Sequence, residues 1–276
     1  MSDKICLITG ASSGIGFAAA TELARRGITV VLLCRDRDRG EKAKAEIAAV
    51  GGSENVGLLS ADLSSPKQIR RAVTEYTARY DRLDILVNNA AIVPKRSTLT
   101  EDGLEMQFAV NHLAPFLLTN LLLETLRASA PSRIVTVSSG MHGQARVDLS
   151  NLQAEKKYKA MSQYAVTKLL NIYFTYELAR RLEGTRVAAN CLAPGLTATG
   201  IARDFSPFTR FFFRKFGKPK ELGAETVVYL AISEEVEGVS GKYFENMKAV
   251  RSSIRSGDRE AARKVWEISA RLAGLG

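Results

Sequence analysis

The stretch "KICLITGASSGIGFAAATELARR", residues 4–26, decides the fold. Its first six residues, "KICLIT" (4–9), have the composition of a buried strand, and residues 14–26 read as a helix. Between them lies "TGASSGIG" (9–16), in which Gly10, Gly14 and Gly16 are spaced G-x3-G-x-G. Glycines at a strand-to-helix junction permit a tight turn and the close approach of a ligand to the backbone. The helix N-terminus behind them offers free N–H groups and a partial positive charge. Ser12 and Ser13 add hydroxyl donors suited to phosphate oxygens. The alternative is a glycine turn with ordinary capping serines, but a position between the first strand and the first helix favours a phosphate-binding loop.

Outward from this unit the alternation repeats. Strands are expected at about 28–34, 55–60, 83–89, 132–139, 186–193 and 241–244. Helices are expected at about 37–50, from Pro66 to about Tyr80, and at 101–128 with an interruption at Pro115. Further helices are expected at about 158–183 and 220–233, and a basic one at the C-terminus. Strand–helix alternation with strands apolar along their whole length predicts a doubly wound parallel sheet with helices on both faces. The fold class is therefore α/β, a single-domain Rossmann-type sheet of about seven strands. No Pro/Gly/Ser-rich linker divides the 276 residues, so one domain (1–276) is expected, with a C-terminal extension over about 246–276.

Composition narrows the function classes. A chain with 46% hydrophobic and 25% charged residues can bury a core, and no run of 18 apolar residues suggests a transmembrane helix. The N-terminus lacks the layout of a signal peptide. Cys6, Cys34 and Cys191 are too scattered for a disulfide framework or a zinc site and read as buried free thiols, which fits a reducing cytoplasm. His112 and His142, the two histidines, have no metal-ligand spacing, and no metal site is expected. The net charge of +10 is spread along the chain without a nucleic-acid motif, so no nucleic-acid partner is expected.

The end of the second strand reports on a bound ribose. An acidic residue there would hold both ribose hydroxyls; here Cys34 is followed by Arg35, a neutral–cationic pair that suits a phosphorylated ribose and hence NADP(H). Arg39 and Lys42 add to that field, while Asp36 and Asp38 leave open a solvated, charge-alternating loop. Asp62, in "ADL" (61–63), is placed near an adenine amino group. On the long helix Tyr164 and Lys168 sit four residues apart, so they share one face. A lysine ammonium beside a phenol favours phenolate, which makes the tyrosine a candidate general acid or base.

Taken in order, "TGASSGIG", "NNAA" (88–91), Asn111, "VSS" (137–139), "YAVTK" (164–168) and "APGLTAT" (193–199) resemble the short-chain dehydrogenase/reductase family over nearly the whole chain. The stretches "LLCRDRDRGEKA", "NHLAPFLLTNLLLETL" and "SGKYFENMK" look like its retinol dehydrogenase branch and bacterial relatives. The resemblance implies an NADP(H)-linked oxidoreductase that interconverts a lipophilic alcohol and its aldehyde or ketone; the alternative readings are a catalytically silent nucleotide-binding scaffold and a peripheral membrane-binding protein of the same fold. It implies Tyr164 as general acid/base, Lys168 on the nicotinamide ribose, Ser139 on the substrate oxygen and Asn111 as anchor of a relay water. It also implies a cofactor cradle of Gly10, Ser12, Ser13, Gly14, Ile15, Gly16, Arg35, Asp62, Leu63, Asn89, Ala90, Tyr164, Lys168, Pro194, Gly195, Thr197 and Thr199. Ala91 stands where the family usually has glycine, and no hydrophobic N-terminal anchor like that of membrane-bound members is expected.

"FSPFTRFFFRKFGKPK" (205–220) is aromatic and basic. By the resemblance it belongs to a substrate lid at about 200–220; a peripheral membrane contact and an ordinary amphipathic core helix or dimer contact are the other readings. The expected partners are thus a small hydrophobic carbonyl or alcohol, an anionic lipid surface and a second copy of the chain. The expected location is the cytoplasm or a membrane surface facing it.

Overall fold

The computed structural model describes residues 3–51, 55–195 and 219–275. Thr197, Thr199 and the aromatic run from Phe205 to Phe216 lie outside the described residues. The sheet runs β3-β2-β1-β4-β5-β6-β7-β8. Its strands are β1 (Ile5–Thr9), β2 (Thr29–Cys34), β3 (Val56–Ser60), β4 (Ile85–Asn88), β5 (Ser132–Val137), β6 (Val187–Ala193), β7 (Tyr243–Glu245) and β8 (Lys248–Val250). All neighbouring pairs are parallel except β7–β8. Among the described residues the strand count is eight, not seven. The sequence stops looking like a strand at about residue 244, and β8 is a three-residue exposed edge strand with no apolar run of its own.

Alternate residues of each strand enter opposite cores, as the pleat requires. Leu7, Val31, Leu33 and Leu86 pack on one face with helix α3 (Pro66–Arg79), the long helix Ala160–Arg181 and the C-terminal helix Arg259–Leu272. Cys6, Ile8, Val30, Leu32 and Val87 pack on the other with α1 (Gly14–Arg25), α2 (Arg37–Gly51) and the helix Lys220–Ile232. Burial on both faces explains why these strands carry apolar runs instead of alternation. The order reverses between β1 and β4, the switch point at which ligands of open α/β sheets bind, beyond the C-terminal strand ends.

Pro66 occupies the first turn of α3 behind the capping Ser65, as expected. The segment expected to be interrupted at Pro115 opens before it. Met106–Phe108 is α-helical, Ala109–Leu113 is a π-helical turn closed by Ala114 N–H on Ala109 O, and α-helix resumes at Ala114–Leu121. Proline has no N–H, so the Asn111 carbonyl four residues earlier loses its ordinary helical donor and the chain widens upstream of the ring. The C-terminal helix is held by Trp266, which packs against Phe116 and Phe174 and lies under the Arg181 guanidinium at 4.3 Å. Arg70 caps the end of that helix through the Ala273 carbonyl at 2.7 Å.

The β7–β8 hairpin turns on two residues, Asn246 and Met247, both with left-handed φ (47° and 62°). Such turns favour Asn-Gly, and methionine at a positive φ is strained by about 1–2 kcal/mol. Glycine loses more entropy on folding, so Met247→Gly is expected to gain about 0.5–1 kcal/mol net. That is a rise of about 1–3 °C in Tm. A melting temperature unchanged or lowered by the substitution contradicts the strain.

Candidate active site

The glycine loop is a close-packed cradle. A Cβ on Gly10 would lie 2.9 Å from the Ala90 Cα, and one on Gly16 would lie 2.5 Å from Asn89 Nδ2 and 2.8 Å from the Gly10 carbonyl oxygen. Gly10 and Gly14 take φ of 68° and 62°. The end of β4 is stitched to this loop by Thr9, whose Oγ1 accepts from the N–H groups of Asn89 (2.9 Å) and Ala90 (3.0 Å). Asn89 Nδ2 returns a bond to the Thr9 carbonyl at 2.8 Å. Ser13 precedes α1 without a side-chain capping bond, and no acidic residue occupies the first turn. The helix start is therefore electropositive and uncapped, and the residues fit a dinucleotide pyrophosphate. Ile15 buries its side chain in the core. Asn88 donates to the Thr119 hydroxyl at 2.9 Å, and the bond to the loop backbone belongs to Asn89.

At the end of β2, Arg35, Arg37 and Arg39 are exposed and Cys34 is buried. Burial raises the Cys34 thiol pKa against hydrogen bonds from Ser12 and Ala11 and the charge of Arg39, which act the other way. Asp36 accepts the Arg39 N–H at 3.0 Å, so its carboxylate serves the start of α2. Asp62 accepts from the Ser64 N–H (2.8 Å) and hydroxyl (2.7 Å). Leu63 borders a narrow crevice with Thr9, Ala90 and Asn111. Pro194 and Gly195 follow β6, and Gly195 takes φ of 76°.

Three side chains, Lys168, Tyr164 and Ser139, converge beyond β5. Lys168 is 2% exposed and donates from Nζ to the Val137 carbonyl at 2.8 Å. Its own carbonyl accepts from the Ser138 hydroxyl at 2.8 Å. These two bonds bolt the long helix to the end of β5. Tyr164, 6% exposed, lies one turn earlier, with Lys168 Nζ 5.5 Å from its ring centroid. Ser139 caps the short 3₁₀ turn Gly140–Gln144 by accepting the Met141 N–H at 3.2 Å, which leaves its hydroxyl hydrogen to point elsewhere. Asn111 is fully buried in the π-helical turn. Its amide clamps Ile92, accepting from the N–H at 2.8 Å and donating to the carbonyl at 2.9 Å.

Burial sets the protonation states. It raises the Tyr164 pKa to about 12, with a hydrogen bond from Ser139 opposing, and lowers that of Lys168 to about 7. The expectation that the lysine draws the phenol down is thus outweighed in the cofactor-free chain: losing water costs both charged forms more than their mutual attraction returns.

Sequence reasoning missed Thr9, Ser138, Thr167 and His112. Thr167 accepts from Asn111 Nδ2 at 3.3 Å and donates to the Tyr164 carbonyl at 2.9 Å. Its position within "YAVTK" was the only signal. His112 bridges the π-helical turn to the C-terminal helix, with Nε2 2.9 Å from the Ser269 hydroxyl and Nδ1 3.4 Å from Asn171 Oδ1. Nothing in the sequence links positions 112 and 269.

A parallel sheet with a glycine cradle at its switch point and a buried tyrosine–lysine pair beside it defines a dinucleotide-binding oxidoreductase architecture. The model of the short chain dehydrogenase family matches residues 4–209, and the chain belongs to that family. Human retinol dehydrogenase 14 is 44% identical over 294 residues, covering 100% of this chain and 88% of that protein. Mouse retinol dehydrogenase 13 is 43% identical over 281 residues, with 99% and 84% covered. Among solved structures, an uncharacterized protein from Mycobacterium paratuberculosis is similar at a TM-score of 0.81 and 32% identity, covering 99% of this chain and 94% of that one. A short chain dehydrogenase from Escherichia coli, solved with NADPH, is similar at 0.70 and 25%, covering 90% and 98%. The protein is thus an oxidoreductase that uses a nicotinamide cofactor and a small-molecule substrate. Among the described residues no helix is long and apolar enough to cross a membrane.

Burial lowers the His112 pKa from 6.5 to about 4, with the Asn171 bond opposing. Between these values the unfolded chain binds a proton that the folded chain refuses, so stability falls as pH drops from 6.5 towards 4. The full loss is about 3 kcal/mol. Urea melts at pH 7 and pH 5 are expected to show a smaller difference for His112→Gln than for wild type; an equal difference contradicts the buried neutral imidazole.

Proposed function

We propose that the protein is an NADP(H)-dependent reductase of lipophilic aldehydes or ketones, with Tyr164 as proton donor to the substrate oxygen. The observation that carries this reading is the placement of the Tyr164 phenol, buried within hydrogen-bond reach of the Ser139 hydroxyl and with the Lys168 amine 5.5 Å from its ring centroid. A protonated phenol in that position can give its proton to a carbonyl oxygen as hydride arrives, the general-acid step that carbonyl reduction needs. A bound dihydronicotinamide would supply the hydride.

The remaining roles follow from the bonds each residue has already made. Ser139 has an accepted N–H on its oxygen and a hydrogen to give, so it orients the substrate oxygen towards Tyr164. Lys168 Nζ donates to Val137 O and has further hydrogens for ribose hydroxyls. The Asn111 side chain is committed to Ile92, so its main-chain carbonyl, deprived of a helical donor by Pro115, is the group that would hold a relay water. The loop amides, Ser13 and the start of α1 would hold the pyrophosphate. Arg35, with Asp36 engaged in capping, supports a 2′-phosphate on the ribose. Thr197 and Thr199 are retained as carboxamide contacts from the family pattern alone. A lipophilic substrate is supported by the retinol dehydrogenases that the chain resembles at 43–44% identity.

In an NADPH-consumption screen over retinal, long-chain aldehydes, steroids and quinones, wild type is expected to turn over at least one apolar carbonyl. Tyr164→Phe should lower kcat for that substrate by about 10²–10⁴-fold while NADPH still binds. Near-normal turnover by the phenylalanine variant would refute the mechanism. Arg35→Ala should raise KM for NADPH about tenfold, the worth of one charge-assisted bond, and leave KM for NADH unchanged. Equal effects on both cofactors contradict the assignment of Arg35.

A further inference from the structure

The 3₁₀ turn after Ser139 contains His142, which is 5% exposed. Its Nδ1 lies 2.8 Å from the Ser139 carbonyl oxygen, and its Nε2 lies 3.0 Å from the Ser253 main-chain nitrogen. A carbonyl only accepts, so Nδ1 carries a hydrogen. A backbone N–H only donates, so Nε2 carries a bare lone pair. Only the neutral Nδ1–H tautomer satisfies both contacts. The ring is wedged edge-on against Tyr243, with centroids 5.0 Å apart.

Ser253 belongs to a strap that leads into the C-terminal helix. The strap is tied to the long helix beyond Lys168: Tyr176 pairs with Ser252 at 2.7 Å, and Tyr173 donates to the Arg255 carbonyl at 2.9 Å. Arg255 also reaches back to the Gly143 carbonyl at 3.4 Å. The strap N–H is therefore presented by a braced segment. It fixes which imidazole nitrogen is protonated, and that nitrogen in turn grips Ser139.

The geometry points to His142 as a positioning residue for Ser139, held in its working tautomer by the C-terminal strap. The Ser139 carbonyl receives two donors from the same residue, His142 N–H at 3.0 Å and Nδ1–H at 2.8 Å. Two donors on one carbonyl fix the plane of the Ser139–Gly140 peptide, one peptide before the Met141 N–H that occupies one lone pair of the serine oxygen. The hydroxyl hydrogen is thereby aimed. Through this ring the C-terminal extension reaches the backbone of Ser139. The inference rests on the proposed role of Ser139 as the group that orients the substrate oxygen.

The test uses the full-length protein and the carbonyl with the highest wild-type rate. An asparagine amide offers a donor at the Nδ1 position but no acceptor as far out as Nε2; a glutamine amide reaches the Nε2 position and leaves Nδ1's place empty. His142→Asn is expected to keep kcat within about threefold of wild type, and His142→Gln to lose about tenfold or more, with NADPH affinity unchanged in both. In a Ser139→Ala background His142→Gln should cost nothing further, because its effect passes through the hydroxyl. Independently of turnover, ¹⁵N-histidine spectra contain only two imidazoles, and the one lost in His142→Asn should carry the Nδ1–H signature. An Nε2–H tautomer, equal kcat in the two amide variants, or a full additional loss on top of Ser139→Ala overturns the inference. If Ser139→Ala itself turns over at the wild-type rate, it is the serine's role that fails; if that variant is crippled while His142→Gln is not, the failure is confined to His142.

Discussion

The site is organised by a buried amine that has found a carbonyl. Lys168 gives up water, which lowers its pKa to about 7, and is compensated by a 2.8 Å bond to Val137 at the end of β5. Ser138 closes the same junction from the other side by donating to the Lys168 carbonyl. A helix docked on a sheet by apolar contact alone retains some freedom to slide. Two directional bonds at one residue remove it, and they fix the height at which Tyr164, one turn away, meets Ser139, the residue after the bolt. A cationic or amine group held below a phenol, without exposing either to water, is the condition on which the proton chemistry rests.

The same economy recurs at the other edge of the site. Thr9, Asn89 and Ala90 exchange bonds between the ends of β1 and β4, where the strand order reverses. Gly16 is excluded from bearing a side chain by the Asn89 amide, so glycine here answers to its protein neighbours as much as to any ligand. The π-helical turn and the Asn111–Ile92 clamp form the third support. The buried His112 ties that turn to the C-terminal helix through Ser269. Polar residues at the site thus serve mainly to hold backbone, and the few left free are the ones with chemistry to do.

Much of this was legible in the sequence, for identifiable reasons. Seven strands announced themselves because strands covered on both faces are apolar throughout, and the glycine spacing marked the cradle. Tyr164 and Lys168 were legible because one helical turn places them together. The eighth strand was not, since an exposed three-residue edge carries no hydrophobic signature. The π-helical turn was half legible: Pro115 announced a disruption, but the direction in which the helix yields depends on which donors lie upstream. The roles of His142 and His112 were not legible because their partners, Ser253 and Ser269, lie over a hundred positions away. Long-range polar pairing leaves no periodicity to read. The balance between burial and lysine charge at Tyr164 was also out of reach, because the sequence gives the charge and only the fold gives the burial.

The decisive measurement is the titration of the Tyr164 phenol in the cofactor-free protein, followed by ¹³C-labelled tyrosine spectra with the missing signal of Tyr164→Phe as assignment. Burial should keep that phenol protonated through pH 10, where an ordinary tyrosine is half ionised, with its midpoint at about 12. A midpoint clearly below 10 would mean that the lysine charge, and not burial, governs the phenol.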